Sequence, residues 1–212
     1  GSTYTNATTG TMTIAGISAA AGYDFRCNVT QSGSGCDPVT SATGTLTVVA
    51  APTTSAPSFT NSTVCTGGTT DISTIPAGGT GAFSYQWQYD NAGVWGNVAD
   101  GTPAGSTYTN ATTGTMTIAG ISAPGSYDFR CNITQTGSGC GPITSSTGTL
   151  AVVAEPTTAV PSFTNATICV GGTTDITSTG AGGTGAFSYQ WQYDNAGVWG
   201  YVADGTPAGS TY

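Results

Sequence analysis

Residues 105–208 restate residues 1–104. The phrase Gly-Ser-Thr-Tyr stands at Gly1, Gly105 and Gly209, and the two 104-residue copies differ at about 20 positions. Most differences are gentle, such as Val29 against Ile133 and Val64 against Ile168. A period near 100 residues is too long for a solenoid unit and fits one small β domain. The chain therefore reads as a tandem array.

The array does not break at Gly-Ser-Thr-Tyr. Composition shifts to Pro, Thr and Ala at 50–58 and again at 154–162, as expected of short extended linkers. This divides the chain into the C-terminal half of one repeat (1–51), a complete repeat (52–154) and the N-terminal half of the next (155–212). Because the sequence begins without Met and stops inside a repeat, two origins are expected. It is a window on a longer polyrepeat chain, or separate chains complete one another by strand complementation.

Period-2 alternation marks the strands. Phe83, Tyr85, Trp87 and Tyr89 share one face of AFSYQWQYD, and Tyr127, Phe129, Cys131 and Ile133 share one face of SYDFRCNIT. Leu150 and Val152, Met116 and Ile118, and Ile72 mark three further strands. Turn signals separate them at Asp90-Asn91-Ala92-Gly93, Asp100-Gly101 and Gly137-Ser138-Gly139. About a fifth of the residues are Thr and 33 are Gly, with a single Glu and no Lys. That composition suits pleated strands and turns and starves helices. The expectation is an all-β chain of two-sheet sandwiches.

The order VCTGGTTDIS, YQWQYDNAGVWGNV, GTMTIAGIS, YDFRC and GSGCGPITSSTGTLAVV resembles the immunoglobulin-like repeats of giant secreted surface proteins of Bacteroidota-type bacteria, some of them gliding or surface adhesins. The resemblance spans the whole repeat. It implies tandem immunoglobulin-like β-sandwiches, with Trp87 at the core-tryptophan position of strand C and Phe129-Arg130-Cys131 in strand F. It also implies a stalk or adhesin role at a cell surface. One departure is that Thr74 occupies the usual strand B cysteine position, while Cys65 precedes that strand.

The complete repeat carries three cysteines, Cys65, Cys131 and Cys140; Cys27 and Cys36 match the last two, and Cys169 matches the first. An odd number leaves one unpaired inside each repeat. On an immunoglobulin-like path Cys131 and Cys140 lie near one pole, so Cys27–Cys36 and Cys131–Cys140 are candidate disulfides. Cys65 and Cys169 are then candidates for links between repeats or chains. An intradomain Cys65–Cys140 bond and a reduced Cys65 are the alternatives. Cysteines in a Thr- and Gly-rich chain favour an oxidising, extracellular compartment.

Segment 155–212 carries Phe187, Tyr189, Trp191 and Tyr193 without the strands that would cover them. Four aromatics at about 200 Å² each make that face worth on the order of 20 kcal/mol when buried, as an upper bound. Segment 1–51 holds the missing strands, with Met12, Ile14, Tyr23, Phe25, Leu46 and Val48. The expected partners are thus copies of the chain itself, or adjoining repeats of one long chain, arranged head to tail.

Net charge is −8, there is no His, and Arg26 and Arg130 are the only cations. Two Arg cannot neutralise a phosphate backbone or hold an anionic membrane, so nucleic acid is excluded as a partner. No apolar run approaches the 18 residues needed to span a bilayer as a helix. Without Lys or His, a Ser or Cys nucleophile lacks a base, and Lys–Asn isopeptide staples are ruled out. Asp90 and Asp100 sit in turns, where Asp caps backbone. No CxxC or DxDxDG spacing supports zinc or calcium, so no enzyme activity, cofactor or metal is expected. Asn6, Asn28, Asn61, Asn110, Asn132 and Asn165 stand in N-x-S/T sequons as possible glycosylation sites. Trp95 and Trp199, in GVWG, are possible glycan-stacking platforms. The expected role is a structural module of an extracellular filament or adhesin stalk. The alternative is a glycan- or ligand-binding module of a secreted protein.

Overall fold

The computed structural model describes residues 1–212 except Ser34 and Ser138. The Gly137–Gly139 turn expectation therefore falls partly outside the described residues. The chain is all-β, with several sheets, and divides into two compact units, Gly1–Val152 and Val153–Tyr212.

Ten strands of the first unit form two larger sheets around one core. They are β1 (Ser58–Phe59), β2 (Thr63–Cys65), β3 (Thr69–Ser73), β4 (Phe83–Asn91), β5 (Val94–Asn97), β6 (Thr107–Thr109), β7 (Thr115–Ala119), β8 (Gly125–Gln135), β9 (Ile143–Thr144) and β10 (Gly148–Val153). One sheet has the order β6-β7-β3-β1; the other runs β5-β4-β8-β10-β2, with β9 also pairing β8. Register follows the alternation. Ile72 lies opposite Met116, Trp87 opposite Cys131, Tyr89 opposite Phe129 and Tyr127 opposite Leu150. Residues directly opposite one another share a face, so these pairs put apolar side chains between the sheets.

The core draws on both sheets: Ile72, Met116 and Ile118 from one, Trp87, Phe129, Cys131, Ile133, Leu150 and Val152 from the other. Trp87 is fully buried, and its indole N–H donates to the Thr113 carbonyl at 2.9 Å, which offsets the cost of hiding that polar group. Phe129 makes edge contacts with Phe59 and Tyr108 and a tilted one with Tyr89. On the outer faces, Thr hydroxyls donate to carboxylates across the strands, Thr117 to Asp71 and Thr149 to Asp128, each at 2.6 Å. Asp90 caps the β4–β5 hairpin by accepting from the Gly93 amide at 2.7 Å, with Ala92 and Gly93 at positive φ, the signature of a two-residue hairpin turn.

Two-stranded pairs form the rest of the first unit. Thr3–Thr5 pairs with Thr13–Ala15, Ala21–Phe25 with Gly44–Val48, Asn28–Val29 with Val39–Thr40, and Thr53–Thr54 with Pro76–Ala77. The second unit is built the same way, from Thr157–Thr158 with Gly180–Ala181, Ser162–Phe163 with Ile176–Thr177, and the hairpin Gln192–Asn195/Val198–Tyr201. Residues 186–200 are identical in sequence to 82–96. Yet the nine-residue β4 shrinks there to the four residues of the hairpin. In the first unit β8 holds Phe83–Tyr89 extended; the second unit contains no counterpart, and a strand persists only where it has a partner.

Candidate functional site

The partial repeats display what the complete one hides. Met116 is 0% exposed and its equivalent Met12 37%; Leu150 is 1% and Leu46 40%; Ile72 is 0% and Ile176 38%. Phe163, Phe187 and Tyr189 are exposed as well, and the fully buried Trp87 is matched by a half-buried Trp191. The wet residues of 1–51 correspond to β6–β10, and those of 153–212 to β1–β5. Both flanking segments thus expose residue types that are sealed at 52–152.

Trp95 is not a bare platform. The Arg130 guanidinium sits 4.2 Å from its ring centroid, and Arg130 Nε donates to Gln88 Oε1 at 2.9 Å. A cation over an indole face at this distance is attractive, so one stacking face of Trp95 is occupied. Trp199 is 66% exposed, and the residue equivalent to Arg130 is Arg26. The sequence carried one signal of this pairing: the chain's only two cations stand 104 residues apart, as do the two GVWG tryptophans. That the two types meet was not legible, because Arg130 sits opposite Gln88 on β4 and Trp95 comes from β5.

The three cysteine types occupy different surroundings. Cys27, Cys65, Cys131, Cys140 and Cys169 carry free thiols. Cys131 is fully buried, its amide donates to Ser145 Oγ at 2.9 Å, and desolvation pushes its thiol up to about 11 against an opposing hydrogen bond from the Gln86 backbone. A thiol so placed stays protonated and behaves as a small apolar side chain. Cys65 is half-buried at the end of β2, a short strand of the β4–β8–β10 sheet that precedes β3 in the chain. Cys140 is half-buried and lines a cavity of about 390 Å³ with Gly16, Ile17, Val48 and Val49. Cys36 and Cys169 are exposed. Thr74, at the position where the resemblance implies a cysteine, is buried; its hydroxyl donates to the Ser55 carbonyl at 2.9 Å and lies 2.7 Å from Thr54 Oγ1.

Of the sequon asparagines, Asn6, Asn28, Asn61, Asn110 and Asn165 are exposed and Asn132 is half-buried. Asn28 and Asn132 accept cross-strand hydrogen bonds from Thr40 and Thr144. Asn110 sits at positive φ in a turn. The candidate carboxylates serve the backbone: besides Asp90, Asp100 Oδ1 accepts from the Tyr108 amide at 2.9 Å. Burial pushes the Tyr108 phenol up to about 12, and its hydroxyl donates to the Thr102 carbonyl.

No protein-family model matches the chain, and neither does any curated protein. The functional reading therefore rests on the residues themselves.

Proposed function

We propose that this chain is a structural module of an extracellular filament or surface-adhesin stalk, made of immunoglobulin-like sandwiches joined head to tail and without catalytic activity. The strand order supports the sandwich reading. The sheet β1-β3-β7-β6 follows the A-B-E-D order of such folds, and β5-β4-β8-β10 follows C′-C-F-G. The Tyr127 hydroxyl donates to the Ala123 carbonyl at 2.8 Å, as Tyr23 does to Ala19. A tyrosine entering strand F and bonding back upstream is a recurrent corner of these domains.

The observation that carries the assembly reading is the paired exposure described above: residue types sealed at 52–152 are wet on both flanking halves. Copies of the chain, or adjoining repeats of one longer chain, close them in the register of the complete repeat. Trp191 then lies opposite Cys27 and Tyr193 opposite Phe25, the Thr9 carbonyl takes the Trp191 indole N–H, and Arg26 stacks on Trp199. Such a contact joins two different surfaces and does not close on itself, so it propagates as a fibre. The extracellular setting is supported by composition: six cysteines, 43 threonines and few charges. Sedimentation velocity over a range of chain concentrations tests the reading. Growth of linear oligomers is expected; a monodisperse monomer at every concentration would contradict it.

A further inference from the structure

A cavity of about 390 Å³ lies beside Cys140. Its other walls include Gly16, Ile17, Val48 and Val49; 104 residues on, these are Gly120, Ile121, Val152 and Val153. In the complete repeat those equivalents are covered by one segment. β2, ending at Cys65, runs beside β10, with the Ala151 amide donating to the Ser62 carbonyl at 2.9 Å. Just beyond it, the Gly67 amide donates to the Ile121 carbonyl at 2.8 Å and the Gly120 amide to the Gly68 carbonyl at 3.2 Å. On the first partial repeat the same walls are open, and Cys140 of the following repeat looks onto them.

The segment that fits these walls exists in the second unit. Residues 169–172 match 65–68, and the turn keeps its form there. The Gly172 amide donates to the Cys169 carbonyl at 2.9 Å, as Gly68 does to Cys65, and Gly171 has φ 78° where Gly67 has φ 75°. Cys169 is thus presented on a preformed turn, which lowers the ordering cost of docking.

We propose that Cys169 of a second copy of this chain docks against Gly16, Ile17 and Val49 and forms a disulfide with Cys140 across the junction between repeats. The inference rests on the head-to-tail reading and deepens it. Within one repeat the same pairing is barred: Cys65 lies at the Gly125–Val152 end of β8 and Cys140 beyond Gln135 at the other. Eleven extended residues span about 33 Å, while a disulfide needs Cα atoms within about 7 Å. Cys131 is sealed in the core. The odd count of three is thereby resolved, with one cysteine packed inside and one at each pole facing a neighbour.

The bond forms by thiol–disulfide exchange with a small-molecule disulfide such as glutathione disulfide. One cysteine thiolate attacks it and expels a glutathione thiolate. The second cysteine thiolate then attacks the protein sulfur of the mixed disulfide, closing the S–S bond and expelling the second glutathione thiolate. The two protons lost by the cysteines end on the two glutathione molecules, and both electrons reduce the glutathione disulfide.

The test mixes ¹⁴N- and ¹⁵N-labelled 212-residue chains at assembling concentration and oxidises them with glutathione disulfide. The product is divided for two readouts: chymotryptic mapping without reductant, and sedimentation after dilution. A Cys169–Cys140 peptide pair of mixed isotope is expected, together with oligomers that survive dilution until reductant is added. Cys140→Ser and Cys169→Ser should each abolish the linked peptide and leave concentration-dependent growth intact. Growth without a Cys169–Cys140 peptide, or a Cys65–Cys140 link within one chain, overturns this inference and spares the assembly reading. Absence of growth in the unoxidised chain overturns both.

Discussion

Leu150 and Leu46 are the same residue at the same place in the repeat, one sealed and one wet, and truncating each separates the fold from its assembly. Leu150 is 1% exposed, opposite Tyr127 in the sheet and in the cluster with Trp87 and Phe129. Leu150→Ala removes a buried isobutyl group, which costs about 3 to 5 kcal/mol through lost burial and the cavity left behind. Leu46 is 40% exposed; in the dispersed chain Leu46→Ala gives up about three-fifths of that burial, leaves no enclosed cavity, and should cost about 1.5 kcal/mol. In the proposed assembly Leu46 would be sealed as Leu150 is. There the same substitution should cost the difference between the sealed and the dispersed values, about 2.5 kcal/mol of junction free energy, roughly a 70-fold weaker association. Urea denaturation followed by tryptophan fluorescence at low concentration reads the first two numbers, and light scattering against concentration reads the third. Equal destabilisation of the dispersed chain by both substitutions, or unchanged association in Leu46→Ala, would refute the reasoning.

Alkaline pH should unfold the complete repeat. Cys131 and Tyr108 hold their protons up to about 11 and 12, above ordinary values of 9.0 and 10.0, so folding is undiminished below pH 9 and loses stability as pH climbs from there through 12. Thermal melts at stepped pH check this, and Cys131→Ala should flatten the lower part of the decline. Gly120→Ala should cost at least about 2 kcal/mol, since φ is +79° and the new Cβ would lie 2.5 Å from the Gly105 carbonyl oxygen. Gly96→Ala, facing open space, serves as its near-neutral control in the same melts. Arg130→Gln removes the cation over Trp95 and should shift part of the tryptophan emission while costing about 1 kcal/mol or less.

The alternation of Phe129, Cys131 and Ile133 against Asp128, Arg130 and Asn132 was enough to orient β8, because a half-buried strand must repeat every two residues. Trp87 and Ile72 were legible as core for the same reason. Thr63–Cys65 was not recognised as a strand: three residues hold too little pattern, and a neighbouring strand defines them. The Tyr127–Ala123 bond and the Arg130–Trp95 stack depend on how strands curve and neighbour one another, which spacing along the chain does not reveal. The Cys140 cavity joins residues more than 90 positions apart, so no local signal could announce it. The identical stretches 82–96 and 186–200 make the limit plain. One sequence takes two strand lengths according to what lies beside it.

The central claim is that the two open faces are halves of one interface, and amide hydrogen exchange along Phe187–Tyr193 tests it most directly. In the concentrated chain those amides should be protected to the level of Phe83–Tyr89, which β8 already holds, and should lose protection on dilution below the association threshold. Rapid exchange of Phe187–Tyr193 at every concentration, beside a protected Phe83–Tyr89, would contradict the account.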